Sequence, residues 1–216
     1  MLLTSAYFPP ISYFAAIAED FALSGDGAKP STVHIEACEN YQKQSYRNRC
    51  VILGANGRER LNVPIVHEGG INIPIREVKV DYSTPWLRQT EHAIKSAYGM
   101  SAYFDYYKDE LFSILDSRPE TLWELNLEII DFFLRKTGIE AKLIPTSVFA
   151  PKGSSQRDYR EIIHPKRQNS ILEDLGIKKP YFQVFSEKYG FVGDLSIMDL
   201  LFNEGPDSIL FLKAKI

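Results

Sequence analysis

Cysteine is scarce in this chain. Its 216 residues hold two, Cys38 and Cys50, which excludes a disulfide framework and the paired C-x-x-C motifs of a zinc ribbon. Two unpaired thiols fit a reducing compartment, so a cytoplasmic location is expected. No stretch approaches the 18 or so apolar residues that a membrane-spanning helix needs. The opening "MLLTSAYFPP" lacks the basic start and long apolar run of a signal peptide. There is also no basic excess. Lys and Arg number 25 against 28 Asp and Glu, a net charge of -3, which argues against non-specific nucleic-acid binding. The four histidines, His34, His67, His92 and His164, show no H-x-x-x-H spacing, so no metal site is expected. No G-x-G-x-x-G follows a strand and no G-x-S-x-G elbow occurs. The run "SGDGAKPST" does not supply the contiguous Gly-Lys-Ser/Thr of a phosphate loop. No cofactor is expected.

What is present is ordinary in bulk and unusual in detail. Hydrophobic residues make up 44% and charged residues 25%, as in typical globular domains. A chain of this length buries about 70% of its unfolded surface and needs no staples. Tyrosine is abundant, with 12 copies. Its flat apolar face and single hydroxyl suit core edges and polar ligands such as sugars and nucleotides.

The hydropathy pattern predicts an α/β protein: a mixed sheet with a β-hairpin, followed by a helical segment, in a single compact domain over 1–216. "LLTSAYF" reads as a first strand ended by Pro9-Pro10, "SYFAAIAEDFAL" as a helix, and "TVHIEAC" as a second strand, a βαβ-like opening. In "RCVILGANGRERLNVPIV" two β-rich runs flank Asn56-Gly57, a pair suited to a type I′ hairpin turn. "IREVKVDYS" alternates as a strand. Residues 84–138 read as helical. Within them Ser117-Arg118-Pro119-Glu120 fits a capping box, and Lys136 and Gly138 fit a helix end. "AKLIPTSVFA" and "PYFQVF" read as further strands, and the polar stretch between them as a mobile loop around one short turn. Asp194 or Ser196 is expected to cap a short helix that Gly205 stops.

Two polar constellations stand out as candidate sites. The first is "ENYQKQSYRNRC" at 39–50. Lys43, Arg47 and Arg49 bring cations, and guanidinium forks match carboxylate and phosphate geometry. Asn48 both donates and accepts, and Tyr41 and Tyr46 offer stacking faces. The alternative is a solvated connection whose arginines pair with local glutamates. The second is Pro9-Pro10 followed by Ser12 and Tyr13. Loops at the carboxyl end of a first strand are where α/β sheets place ligands, and helix N-terminal amides there attract anions. The alternative is a rigid turn with a serine cap.

Five segments occur in a familiar order: "AYFPPISYFAAI", "YRNRCVILGANGRERLNVPI", "IKSAYGMSAYFDYY", "ELNLEIIDFF" and "LSIMDLLFNEGPDSI". Together they resemble the WbqC-like protein family from about Ala6 to Ile209. The resemblance implies a setting in bacterial surface-polysaccharide loci of O-antigen type. It also implies a small-molecule substrate, an activated sugar such as a nucleotide sugar, and transfer of a small acyl, aminoacyl or glycosyl-type group. Pro10, Tyr13, Arg47, Asn48, Arg49, Tyr98, Tyr103, Asp199 and Asn203 fall on its segments. Many members carry Gln-Pro where this chain has Ala6-Tyr7. On this view Arg47 and Arg49 neutralise phosphate or carboxylate charge, and Tyr41, Tyr46 or Tyr98 flank the sugar or base. His92 or Glu39 would act as general base. The guanidinium groups are expected to turn inward beside the diproline turn and form a cationic cup. The alternative function is a non-catalytic module that holds a polysaccharide precursor or a partner enzyme.

Overall fold

The structure is a computed structural model that describes residues 1–23, 30–66, 72–177 and 179–213. The chain runs β1 (Leu2–Thr4), α1 (Ile11–Leu23), β2 (Ser31–Glu36), β3 (Arg49–Gly54), β4 (Gly57–Asn62), α2 (Trp86–Tyr98), α3 (Phe104–Asp116), α4 (Leu122–Thr137) and β5 (Ala141–Pro145). Four short helices close it: α5 (Ile171–Asp174), α6 (Ser186–Tyr189), α7 (Ile197–Glu204) and α8 (Ser208–Leu212). The α/β class holds. The strands divide into a three-stranded parallel sheet, ordered β1-β2-β5, and a separate β3-β4 hairpin, rather than forming one mixed sheet.

The register of the parallel sheet sets Leu3 beside Ile35 and Val33 beside Leu143. Along β2 the residues Ser31, Val33 and Ile35 are buried while Thr32 and His34 are exposed. One sheet face therefore enters the core and the other stays open, although parallel sheets are commonly covered on both faces. α1 covers the inner face. Its residues 11–18 are buried all round, as expected of a helix apolar on every side. α4 lies alongside, and Phe14 and Phe8 both meet Phe133 edge-on at 6.0 and 6.1 Å.

The turn from β1 into α1 is tightly tied. Phe8 sits at φ 42° directly before a proline, a backbone region that L residues seldom occupy. Three backbone hydrogen bonds hold it: Tyr7 N–H to the Tyr46 carbonyl at 2.8 Å, Ile11 N–H to Leu195 at 2.9 Å, and Ile197 N–H to Pro9 at 2.9 Å. The α1 amides meet an anion, and that anion belongs to the protein. Asp194 accepts from Ser12 N–H at 2.8 Å and from Ser12 Oγ at 3.0 Å.

Several expectations are corrected. The hairpin turns on Ala55 and Asn56, and only Gly57 takes a positive φ, of 100°, so the turn is not type I′ centred on Asn56-Gly57. The α4 capping box is Thr121 with Glu124, not Ser117 with Glu120. Ser117 Oγ instead donates back to the Ile114 carbonyl at 2.8 Å, and Arg118 at φ 51° breaks the helix there. Residues 75–83 form a 3₁₀ turn at Ile75–Glu77 and then two isolated bridges, Lys79 to Thr121 and Val80 to Ile65. Among the described residues no partner strand runs alongside them. Residues 180–185 form no strand either, because side chains rather than a ladder fasten them. The polar run 151–170 is not loose. Leu2 N–H donates to the Arg157 carbonyl at 2.8 Å and Tyr159 N–H to the Leu2 carbonyl at 3.0 Å, across a bridge between Leu2 and Asp158, which lays this run along the free edge of β1. Residues 24–29, in the run tested as a phosphate loop, lie outside the described residues, as does His67. Among the described residues no helix is long and apolar enough to cross a membrane.

The distant cap on α1 yields a test. Asp194→Ala leaves the Ser12 amide unmet, and cap removal typically costs about 0.5–2 kcal/mol. Urea unfolding is expected to show a loss of about that size. A stability equal to the parent's would show that the bond carries no weight.

Candidate functional site

The carboxyl ends of the parallel strands carry a concentration of buried charge. β2 ends on Glu36, whose side chain has no exposure. Its Oε1 accepts from Cys38 N–H at 2.9 Å and Thr146 Oγ1 at 2.7 Å, and its Oε2 accepts from Ala150 N–H and Arg160, both at 2.9 Å. Burial of a carboxylate is tolerable only with this degree of satisfaction. Arg160 also forks onto Asp158 at 2.9 and 2.7 Å and donates to the Ala150 carbonyl at 2.8 Å. One guanidinium thus joins the end of β2, the chain after β5, and the strip beside β1.

Three residues on, Glu39 makes the second buried pair. Arg47 Nε donates to Oε1 at 2.8 Å and Nη2 to Oε2 at 2.5 Å. Arg47 is 2% exposed and Glu39 6%. Burial pushes the Glu39 pKa up against the opposing pull of Arg47. Asn126, wholly buried in α4, donates to the Arg47 carbonyl at 2.8 Å. The chain from 39 to 47 is therefore pinned at both ends.

Between these pairs opens a pocket of about 520 Å³. Glu39, Asn40, Tyr41 and Gln42 form one wall. Phe149 and Lys152 come from the chain after β5, Asp158, Arg160 and Glu161 from the strip beside β1, and Asn72 from the chain after the hairpin. The Arg160 guanidinium lies 5.5 Å from the Phe149 ring centroid. Amides, carboxylates, two cations and two aromatic rings face one space. This set makes many polar contacts in both directions and offers flat apolar faces.

The structure sorts the candidate residues into separate places. Glu39 and Tyr41 line the pocket, with Arg47 directly behind Glu39. Arg47 is buried, and its fork is taken up by the Glu39 carboxylate rather than left open in a cationic cup. Tyr41 is near enough for Arg49 and Arg47 to oppose the upward push of burial on its hydroxyl. Arg49 and Tyr46 are half-buried on the hairpin side, and Lys43 is exposed. Asn48 braces the hairpin by donating to the Val63 carbonyl at 3.0 Å. Pro10 bridges to Ser196, and buried Tyr13 donates to the Thr4 carbonyl at 2.9 Å. Both serve the turn. His92 is exposed on α2 and lines a different pocket with Glu59, Arg88 and Gln89.

Tyr98, Asp199 and Asn203 gather around α7, with Tyr103 at its far end. Asp199 Oδ2 accepts from Tyr181 Oη at 2.5 Å and Gln183 Nε2 at 2.7 Å. The Tyr98 hydroxyl is buried without a well-formed hydrogen bond, yet it bears on the same carboxylate. Asn203 donates to the Asp199 carbonyl at 2.7 Å. The Tyr103 ring stands 2.5 Å from where a Cβ on Gly205 would sit, and Gly205 takes φ 54°, so only glycine fits that stop.

Glu36, Asn126, Asp158 and Arg160 were not singled out from sequence. Each carried a faint signal: an acid closing an apolar strand, an amide inside an apolar helix, and a D-Y-R triplet in a polar run.

Fold and site together define an α/β protein with a preformed polar pocket at the carboxyl edge of a small parallel sheet. The family model of the WbqC-like protein family matches residues 5–177, most of the chain, and the chain belongs to that family. It is also similar to the uncharacterized protein Rv1507c of Mycobacterium tuberculosis (strain ATCC 25618 / H37Rv). Identity is 24% over 242 residues, covering 98% of this chain and 96% of that protein. No solved structure matches the chain. The pocket lies within the family match, whereas the closing segment "LSIMDLLFNEGPDSI" lies beyond it.

Asp199, in that closing segment, fastens the irregular 181–192 chain to α7. Burial raises its pKa from 3.8 to about 6, against the opposing hydrogen bonds of Tyr181 and Gln183 and the weaker pull of the Tyr98 hydroxyl. The fold therefore favours the protonated acid. Its stabilising contribution is complete below about pH 4 and is lost as pH rises through 6, a swing of about 3 kcal/mol. Stability of Asp199→Asn relative to the parent should rise from about pH 4 to about pH 6 and level off above it in urea titrations. A difference independent of pH would show that Asp199 does not titrate in this range.

Proposed function

We propose that this WbqC-like protein binds an activated sugar, such as a nucleotide sugar, in the pocket at the carboxyl end of β2. It then transfers a small acyl, aminoacyl or glycosyl-type group in the building of a bacterial surface polysaccharide of O-antigen type. One observation carries the reading: three amide residues, Asn40, Gln42 and Asn72, line the same 520 Å³ space as Tyr41 and Phe149. Sugar hydroxyls both donate and accept, as amides do, and the C–H faces of a sugar pack on aromatic rings. Lys152, exposed at the rim, supplies a cation for a phosphate linked to that sugar. Glu39 is the group in position to act as general base toward an attacking hydroxyl or amine, since His92 opens on another pocket.

A second reading has its own support. Both Glu39 oxygens are held by Arg47, and a carboxylate so engaged accepts hydroxyl bonds more readily than it takes a proton. That favours a non-catalytic module that holds the precursor.

Calorimetry with a panel of nucleotide sugars is expected to find one ligand whose affinity falls at least about tenfold in Tyr41→Ala and in Asn40→Ala. Each loss corresponds to about 1.4 kcal/mol. Turnover of that ligand in a coupled assay with acceptors would select the transferase; binding without turnover would select the module. Unchanged affinity in both variants would remove the pocket from the account.

A further inference from the structure

Three arginines share one face of the β3-β4 hairpin. The register sets Arg60 opposite Val51 and Arg58 opposite Leu53, and Arg49 lies two residues before Val51. Residues directly opposite, or two apart along a strand, project from the same face. Arg58 and Arg60 therefore stand about 7 Å apart, with Arg49 on the diagonal to Arg60. Glu59, between them in sequence, opposes Ile52 on the other face.

Among the described residues no carboxylate pairs with any of these three arginines. The Arg49 Nε is buried and has no hydrogen-bond partner. Burial and the nearby charge of Arg60 both act against the Arg49 cation. The Tyr46 hydroxyl lies within the fields of Arg58, Arg49 and Asp194. Asp194 is already engaged by Ser12 and Asn169. Like charges side by side on a sheet are destabilising, so in a chain of net charge -3 this cluster calls for an outside anion.

We propose that Arg49, Arg58 and Arg60, with the Tyr46 hydroxyl, bind the diphosphate group of a phosphorylated ligand. Guanidinium forks match phosphate oxygens. Forks on side chains rooted about 7 Å apart along one strand approach an anion from two positions and so suit oxygens on two phosphorus atoms, where a single carboxylate would engage only one. The site stands apart from the sugar-pocket reading and shares only Tyr41 as a neighbour.

The test is calorimetry on the full chain at low salt with inorganic pyrophosphate, UDP and geranyl diphosphate. Pyrophosphate is expected to bind. Arg58→Gln and Arg60→Gln should each weaken it about tenfold, and the double variant about a hundredfold, the range of charged hydrogen bonds. Without ligand, the variants should melt no lower than the parent, because a repulsion has been removed. UDP binding more tightly than pyrophosphate assigns the diphosphate to a nucleotide; geranyl diphosphate doing so assigns it to a lipid carrier. Either result supports the site. Absence of pyrophosphate binding to the parent overturns it, and so does equal affinity in Arg60→Gln.

Discussion

The Glu36 carboxylate is the fixed point of this molecule. It has no exposure, sits at the last residue of the central strand, and accepts four hydrogen bonds from four separate places: Cys38, Thr146, Ala150 and Arg160. A three-stranded parallel sheet is too small to align its own exit loops. The buried charge does so by making misalignment costly, since losing one partner of a buried ion pair costs about 3–5 kcal/mol. The chain after β5 and the strip beside β1 are thereby brought together at one end of the sheet.

The second pair, Glu39 with Arg47, extends the same logic into the pocket wall. Arg47 is held by its guanidinium from one side and by Asn126 at its carbonyl from the other. The neighbouring Tyr46 carbonyl meets the amide of Tyr7 in the β1-α1 turn. The polar residues 40–42 are thus presented on a braced loop rather than a free one. Rigid support of this kind is what a binding site needs to hold its ligand geometry. Among the described residues no carboxylate pairs with Arg49, Arg58 or Arg60 on the hairpin, in contrast to Arg47 and Arg160.

The long helices were legible because their apolar spacing spans several turns, and α1 to α4 fall close to where periodicity puts them. The hairpin was legible from its two β-rich runs, although its turn slid by one residue to Ala55-Asn56. Residues 75–83 and 180–185 misled because alternation signals a half-buried extended chain, not the presence of a partner strand. The candidate site was legible in part. The run 39–50 pointed to the pocket wall, and Glu39 and Tyr41 lie in it. Arg47 closing on Glu39 follows the alternative reading of arginines paired with local glutamates, but the pair is buried where a solvated connection was expected. Glu36 and Arg160 are 124 residues apart, and their meeting depends on the path of β5 and the strip beyond it, which no local pattern encodes.

The central claim is that the carboxyl edge of the sheet is where this protein meets its ligand. A crystal structure of the protein with a bound nucleotide sugar tests it most directly. The account predicts the sugar between Asn40, Tyr41 and Arg160. A sugar seated instead in the pocket beside His92, or on the open sheet face at His34, would contradict it.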